Sequence, residues 1–469
     1  MGMDLNVTLQ SAVPRQIIAS EPISTSGLGT TSIMDEHQDF EISGPPFDVE
    51  LSPVDKVAPP VYSRRILIFS RENHNHEGAI LALKLGLQST VNEIPILGGQ
   101  MGVTSAGWFV KNGGHALLRI KHVDMRFSEL QASGFSETML LAEVVSSVPT
   151  ITDPESKWNV CRIQANFIHG GLLLVISINH TAMDGYGITK VIEVLARNCR
   201  VNSLTASSEL VVLDRSILSQ CKGEAYIGKL PAYTVVSGLP KLRQFPADIV
   251  TTTFRLPVPA LKALKIAASP TKGWITTHDA INALCWRTHA RGRYKAKFIT
   301  EEDTVRFAFP VEFRQLVQPP LSSNYIGNAV LMTKVKLPVK TLLGPDGLSI
   351  AAATIRAGVK EVDATYIDNF IAVAKSLEDP RQLKINLMLE DPHTGFGSTS
   401  YKGFAHGTLD WDPILGKFER LRLSYGVTGE GMSIVMPVLS DGSWEVTVTL
   451  EQQLVELFRA DEEWTRYIS

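Results

Sequence analysis

The run Leu172-Leu-Leu-Val-Ile-Ser-Ile178 constrains this chain more than any other segment. Only Ser177 interrupts its apolar character, so the run predicts a buried strand. A single residue, Asn179, separates it from His180-Thr-Ala-Met-Asp184-Gly185. Beyond Gly185 and Gly187, Ile188, Val191, Ile192 and Leu195 recur at helical spacing, which makes the unit a strand, a loop and a helix. A strand end of this kind can hold one imidazole rigidly against a substrate.

At 469 residues the chain exceeds one ordinary core, so two domains are expected. Hydrophobic residues at 44% and charged residues at 20% describe a globular protein. The balance of 45 basic against 48 acidic residues leaves −3, too little field to gather nucleic acid or an anionic membrane. Cys161, Cys199, Cys221 and Cys285 lack CxxC spacing, against both a zinc site and a disulfide framework. No signal-peptide pattern and no run of about 18 apolar residues is present, which predicts a soluble, cytoplasmic protein. The N-x-T sequons at Asn6 and Asn179 then read as chance matches.

Along the chain, residues 1–45 are rich in Ser, Thr, Gly and Pro and read as a flexible N-terminal arm. The first strand is expected at Arg65–Phe69 and a helix at Glu77–Leu87. A stretch without sustained period suits a crossing linker at 206–247, between domains at 46–205 and 248–469. In the second half, Thr276–Arg287 reads as a helix start, with Thr277 able to cap it. Trp444, Val446, Val448 and Leu450 alternate with polar residues as a half-buried strand, and Leu454, Leu457, Phe458 and Trp464 mark a closing helix. Strands alternating with helices make the fold class α/β (α+β).

An imidazole with a pKa near 6.5 can take a proton from a hydroxyl or amine, so His180 suits a general base. The same residue could equally be a satisfied structural histidine near an apolar strand. No G-x-S-x-G elbow supplies a nucleophilic serine, which makes direct attack by a substrate the simpler chemistry. Asp184 would face the ring at i+4 only on a continuous helix. It reads instead as a buried carboxylate that needs a cation. A metal would require a third ligand, and His169 lies at the far end of the strand, so none is expected. Lys262, Lys265 and Lys272 precede the Thr276 helix and either meet phosphates or form a solvated face.

Further segments occur in a recognisable order: Leu51-Ser-Pro-Val-Asp55, Ile94-Pro-Ile-Leu-Gly-Gly99, Leu213-Asp-Arg-Ser216, and Thr276-Thr-His-Asp-Ala280 with Trp286-Arg287. Glu312-Phe-Arg314 follows, then Tyr325-Ile-Gly-Asn328 and Gly442-Ser-Trp-Glu-Val446. Together with His180-Thr-Ala-Met-Asp-Gly185, this series resembles the BAHD-type (HxxxD) acyltransferases over residues 45–469, in particular their fungal secondary-metabolite branch of trichothecene 3-O-acetyltransferase-like enzymes. The resemblance implies two chloramphenicol-acetyltransferase-like domains with a central tunnel at their interface, a monomer, and no permanently bound cofactor. It implies acyl-CoA, acetyl-CoA above all, as co-substrate, a small-molecule acceptor, and O- or N-acylation with His180 as general base. Asp184 would pair with Arg314 as a strut beside Gly185. Asp410-Trp-Asp-Pro-Ile-Leu-Gly416-Lys417 stands in place of the family's D-F-G-W-G segment, with Asp412 for its first glycine and Phe418 for the following proline. Asp410 is then expected to support the site, with Lys262, Lys265, Thr276, Gly416 and Lys417 on the coenzyme side. The altered segment also admits a same-fold enzyme that condenses or cyclises an intermediate from a carrier protein.

Overall fold

A computed structural model describes residues 37–469 apart from 73, 147, 149–156, 201–210, 221–222, 239–247, 390, 405 and 424–428. Two six-stranded mixed sheets organise it. The first runs, edge to edge, His37–Ile42, Ala116–Arg126, Cys161–His169, Gly171–Asn179, Tyr62–Ser70 and Lys417–Arg422. The second runs Ile249–Leu256, Trp444–Glu451, Met432–Val435, Gly395–Ser400, Thr304–Glu312 and Val330–Pro338.

Every residue of Gly171–Asn179 is buried, and the reason for its unbroken apolar run lies in the two faces of the sheet. Leu172, Leu174, Ile176 and Ile178 point to one side, into a core with Leu83, Leu87 and Val91 of helix His76–Glu93 and Ile188, Val191 and Leu195 of helix Gly185–Asn198. Leu173 and Val175 point to the other, against Phe127, Leu130, Phe135 and Val145. Period-two alternation places the residues, and covering both sides makes all of them apolar.

Three sequence expectations change. The arm at 1–45 already contains the edge strand His37–Ile42, which pairs antiparallel with Ala116–Ile120 and Lys121. Its exposed, charged residues hide the strand period, because only one face meets the core. Helix Thr277–Lys295 is capped by Thr276, not Thr277: the Thr276 hydroxyl accepts from Asp279 N at 3.2 Å while Asp279 Oδ2 accepts from Thr276 N at 2.7 Å. Third, Lys417–Arg422 lies in the part of the chain expected to build the second domain, yet it completes the first sheet by pairing antiparallel with Tyr62–Ser70. Trp411 and Leu415 pack into the first core with it.

The expected strands and helices around these are present: Tyr62–Ser70, His76–Glu93 and Trp444–Glu451, with a final helical pair Gln452–Arg459 and Glu462–Thr465. Within the 206–247 connection, Val212 forms a parallel bridge to Tyr325, and Val212 N donates to Asn324 O at 2.8 Å. That bridge sets Arg215 beside the Tyr325–Asn328 turn. Cys161, Cys199 and Cys285 are buried unpaired thiols, and burial pushes the Cys161 thiol up to about 12. Cys221 and Asn6 lie outside the described residues. No described helix is long and apolar enough to cross a membrane.

Candidate active site

His180 stands where its strand ends, and its backbone N–H donates to Val61 O at 2.8 Å, one last rung of the sheet. The buried Asn179 then turns the chain: its Oδ1 accepts from Thr181 N at 3.0 Å and its carbonyl from Ala182 N at 3.0 Å. The sequon asparagine is therefore a structural turn residue. Asp184 caps helix Gly185–Asn198 by accepting from Gly187 N at 2.9 Å. Gly187 admits no side chain, because a Cβ there would stand 2.2 Å from Ile326 O.

The Asp184 carboxylate is spent on other partners than the imidazole. Arg314 Nη1 donates to its Oδ2 at 2.8 Å and Nη2 to its Oδ1 at 3.0 Å, while Ala329 N donates to Oδ2 at 2.9 Å. With the Gly187 cap, both oxygens are doubly engaged, which fills the acceptor capacity of a carboxylate. Arg314 is likewise saturated, giving Nε to Tyr325 O at 3.1 Å, Nη2 to Gly327 O at 2.7 Å and Nη1 to Glu312 Oε1 at 3.1 Å. Burial opposes the charge on Arg314, but Asp184 and Glu312 outweigh it and raise the pKa. Both partners of the pair are 3% exposed, so the pair is bidentate and dry.

His180 itself is half-buried, with Nδ1 shut off from solvent. Burial lowers the imidazole pKa below its ordinary value, and the Arg65 charge adds to that; Asp184, the His180 backbone carbonyl and, least, the Asn328 side chain work in the opposite direction. The ring is therefore neutral near pH 7, the form able to accept a proton. Arg65, fully buried, donates Nη2 to Gly185 O at 3.2 Å, and its guanidinium lies 4.3 Å from the Tyr401 ring centre and 4.8 Å from that of Phe404. Residues after the second sheet's strand Gly395–Ser400 thus close over the start of the helix after His180.

A second buried ion pair underlies the loop. Ser52 and Asp55 form a capping box for the short helix Pro53–Val57, and Asp55 Oδ2 pairs with Arg215 Nη1 at 2.9 Å, both side chains being fully buried. Arg215 Nη2 donates to Ala182 O at 2.7 Å, and Asp55 Oδ1 accepts from Asn328 N and Nδ2 at 2.9 and 2.8 Å. Asn328 Nδ2 also reaches His180 O at 3.0 Å. Asp55, Arg215, Asn328 and Arg65 were not singled out by role from the sequence. Their signal was the order of L-S-P-V-D, D-R-S and Y-I-G-N, which carries no statement of who pairs with whom.

The structure brings His180, Asp184, Gly185 and Arg314 together and leaves the other candidates elsewhere. Asp410, expected to support the site, instead pairs at the surface with Arg200 at 2.5 Å, its side chain 71% exposed. The loop carrying it is drawn to the sheet edge by Trp411, whose ring meets Phe69 edge-on at 5.4 Å. Gly416 has φ +101°, and a Cβ on it would lie 2.3 Å from Ser70 O, so it is required by the strand contact. Lys417 is 81% exposed and approaches Glu419 at 3.4 Å. Lys262 and Lys265 lie on the exposed side of helix Val258–Ala268. Thr276 is occupied by its capping box and by Arg356, whose Nη2 donates to its hydroxyl at 3.0 Å. Among the described residues, no three His, Cys, Asp or Glu side chains converge as a metal site.

A profile of the Transferase family matches residues 43–465. An enoyl-CoA isomerase/hydratase, claC of Penicillium crustosum, is 31% identical over 458 residues, covering 91% of this chain and 52% of that protein, so the chain spans about half that relative's length. The O-acetyltransferase astG of Aspergillus oryzae is 27% identical, covering 75% of this chain and 86% of that one. Among solved structures, Fusarium graminearum TRI101 complexed with coenzyme A and T-2 mycotoxin superposes with a TM-score of 0.81 at 20% identity, over 90% of this chain and 99% of that one, a likeness of fold. The match along nearly the whole described chain, on this pair of sheets, makes the protein a member of the Transferase family, the BAHD-type acyltransferases.

Proposed function

We propose that the protein is an acyl-CoA-dependent acyltransferase that modifies a hydroxyl or amine of a small secondary metabolite, with His180 as general base. One observation carries this reading: a half-buried, neutral imidazole stands at a strand end beside a carboxylate whose acceptors are all taken by Arg314 and backbone N–H groups. The ring is then the base that the loop offers, and Asp184 acts as a strut. The acceptor gives its proton to the imidazole as its oxygen or nitrogen attacks the thioester carbonyl. The tetrahedral adduct collapses by breaking the C–S bond, and the departing thiolate recovers the proton as free thiol. The direction is favoured because a thiol of pKa about 8.5 leaves more readily than an alkoxide.

The coenzyme A of the TRI101 complex and the enoyl-CoA of the Penicillium relative favour a coenzyme A thioester as donor. The name of the Aspergillus O-acetyltransferase favours an acetyl group and an oxygen acceptor. On the coenzyme side we place Lys262, Lys265 and Lys417, whose exposed ammonium groups suit phosphates, with Thr276 and Gly416 shaping the backbone near them. The division into domains at 206–247, a monomeric state and a cytoplasmic location belong to the same proposal. A second reading, a carrier-protein donor for condensation or cyclisation, is favoured by Asp412 and Phe418, which depart from the family segment at the sheet edge.

Acetyl-CoA and a panel of hydroxylated terpenoid and alkaloid acceptors, followed by release of free thiol, test the reading. Thiol release that requires an acceptor is the expected result. Product formed from a carrier-bound intermediate with no coenzyme A thioester consumed would establish the second reading instead.

A further inference from the structure

The dipeptide Ser-Pro occurs twice in the chain, at Ser52-Pro53 and Ser269-Pro270, and the fold treats the two in opposite ways. Ser52 is 0% exposed, and its hydroxyl is held in the capping box with Asp55, so no other protein can reach it. Ser269 is exposed at the end of helix Val258–Ala268, and Thr271, Lys272, Gly273 and Trp274 after it are exposed as well. This turn projects into solvent. A Cβ on Gly273 would meet no atom within 4 Å, and Trp274 is 58% exposed.

The backbone at Ser269 has φ −70° and ψ 127°, the extended form imposed on a residue before proline. A protein kinase takes up its substrate as an extended chain, so the serine is offered without unfolding the helix. Its flanks select the class of kinase. Proline at the next position suits the proline-directed enzymes, whose apolar pocket there would strand the N–H of any other residue. Lys272, three positions beyond the serine, supplies a cation for the anionic groups beside such a cleft. Ser269-Pro-Thr-Lys272 is thus a complete recognition element on an accessible turn, whereas Ser52-Pro-Val-Asp55 carries an acid in place of the lysine.

We propose that Ser269 is a phosphorylation site for a proline-directed Ser/Thr kinase, and that the phosphate weakens coenzyme A binding at the lysines beside it. Ser269 Oγ attacks the γ-phosphorus of ATP; the Oγ–P bond forms as the P–O bond to ADP breaks, and the hydroxyl proton passes to the kinase's catalytic aspartate. In the unmodified chain the hydroxyl donates to Lys265 O at 2.7 Å, a bond that the ester gives up. The added group carries about −1.5 to −2 charges at pH 7. Lys262, Lys265 and Ser269 recur at i, i+3 and i+7 along one helix face, so this charge falls beside both ammonium groups. It then competes with the coenzyme's own phosphates for them. The effect on binding rests on the coenzyme placement proposed above; the modification itself does not.

The folded full-length protein, incubated with ATP and a purified cyclin-dependent kinase, tests the site by intact-mass and peptide mass spectrometry. A single phosphate on Ser269 is expected, with none on Ser52, and it should be lost in Ser269→Ala. Lys272→Ala should slow labelling about tenfold by removing the distal cation. Calorimetric titration with coenzyme A alone then compares the phosphorylated and unmodified forms. Kd should rise about three- to tenfold on phosphorylation, and the difference should shrink at high salt as screening takes over. Ser269→Ala treated with the kinase in the same way should bind coenzyme A like the unmodified parent. A folded chain left unlabelled at Ser269, or labelled as fast in Lys272→Ala as in the parent, overturns the site. An unchanged Kd in fully phosphorylated protein overturns its effect. Should coenzyme A not bind the unmodified chain, the acyltransferase reading and the effect fail together while the labelling result stands, so the failures are separable.

Discussion

The loop His180–Gly187 and the segment Asp410–Phe418 both resemble family signatures, yet they are built on opposite principles. In the first, Asp184 is 2% exposed and its carboxylate meets four donors, one from its own helix and three from residues beyond Glu312. In the second, Asp410 is paired with a partly exposed Arg200, and the segment is held through Trp411, Leu415 and the edge pairing of Lys417–Arg422. The first holds chemistry in place with buried charge. The second ties the far end of the chain to the first sheet with apolar and backbone contacts. Likeness to a motif therefore says less about a residue's work than does what the residue is buried against.

Substitutions sharpen the contrast. Asp184→Ala should cost about 3–5 kcal/mol, because it strands the buried Arg314 guanidinium, and chemical denaturation would measure it. A variant as stable as the parent would break the strut. In the second segment Gly416→Ala should cost about 1–3 kcal/mol through its left-handed backbone and its approach to Ser70.

Acid should weaken the fold through two buried histidines. Burial is the main force holding His278 down at about 4, with Lys402 and Arg356 adding to it and Asp279 opposing, and burial lowers His180 too. Both rings are neutral in the folded chain, whereas unfolded histidines take up protons near 6.5. Stability from these groups is therefore present above about pH 6.5 and lost as pH falls toward 4. The melting temperature of His278→Gln should fall less steeply over that window than that of the parent; equal slopes would contradict the assignment. Smallest of all, Asp410→Ala should change stability by about 0–1 kcal/mol, as for other solvent-exposed pairs.

What the sequence displayed follows the range of the interaction concerned. The strand ending at Asn179 and the helix from Gly185 depend on neighbours within a few residues, and their periods are visible in the chain; the capping box at Thr276 is as local, yet two adjacent threonines left the cap assigned one residue late, to Thr277. Asp184 was readable as a buried carboxylate lacking a cation; Arg314 followed only from resemblance, because 130 residues separate the pair. Asp55 and Asn328 are 273 residues apart, and no local pattern records their contact. Edge strands were hidden for another reason. His37–Ile42 and Lys417–Arg422 carry charges along their exposed sides, so neither shows the apolar alternation of a half-buried strand.

Acceptor-dependent release of thiol from acetyl-CoA by His180→Ala is the most direct test of the central claim. The bond from His180 to the sheet is made by its backbone N–H, which alanine keeps, so the variant should melt close to the parent. Turnover is predicted to fall by about 10²- to 10⁴-fold, the usual contribution of a general base. A folded His180→Ala protein that keeps the parent's rate would contradict the account.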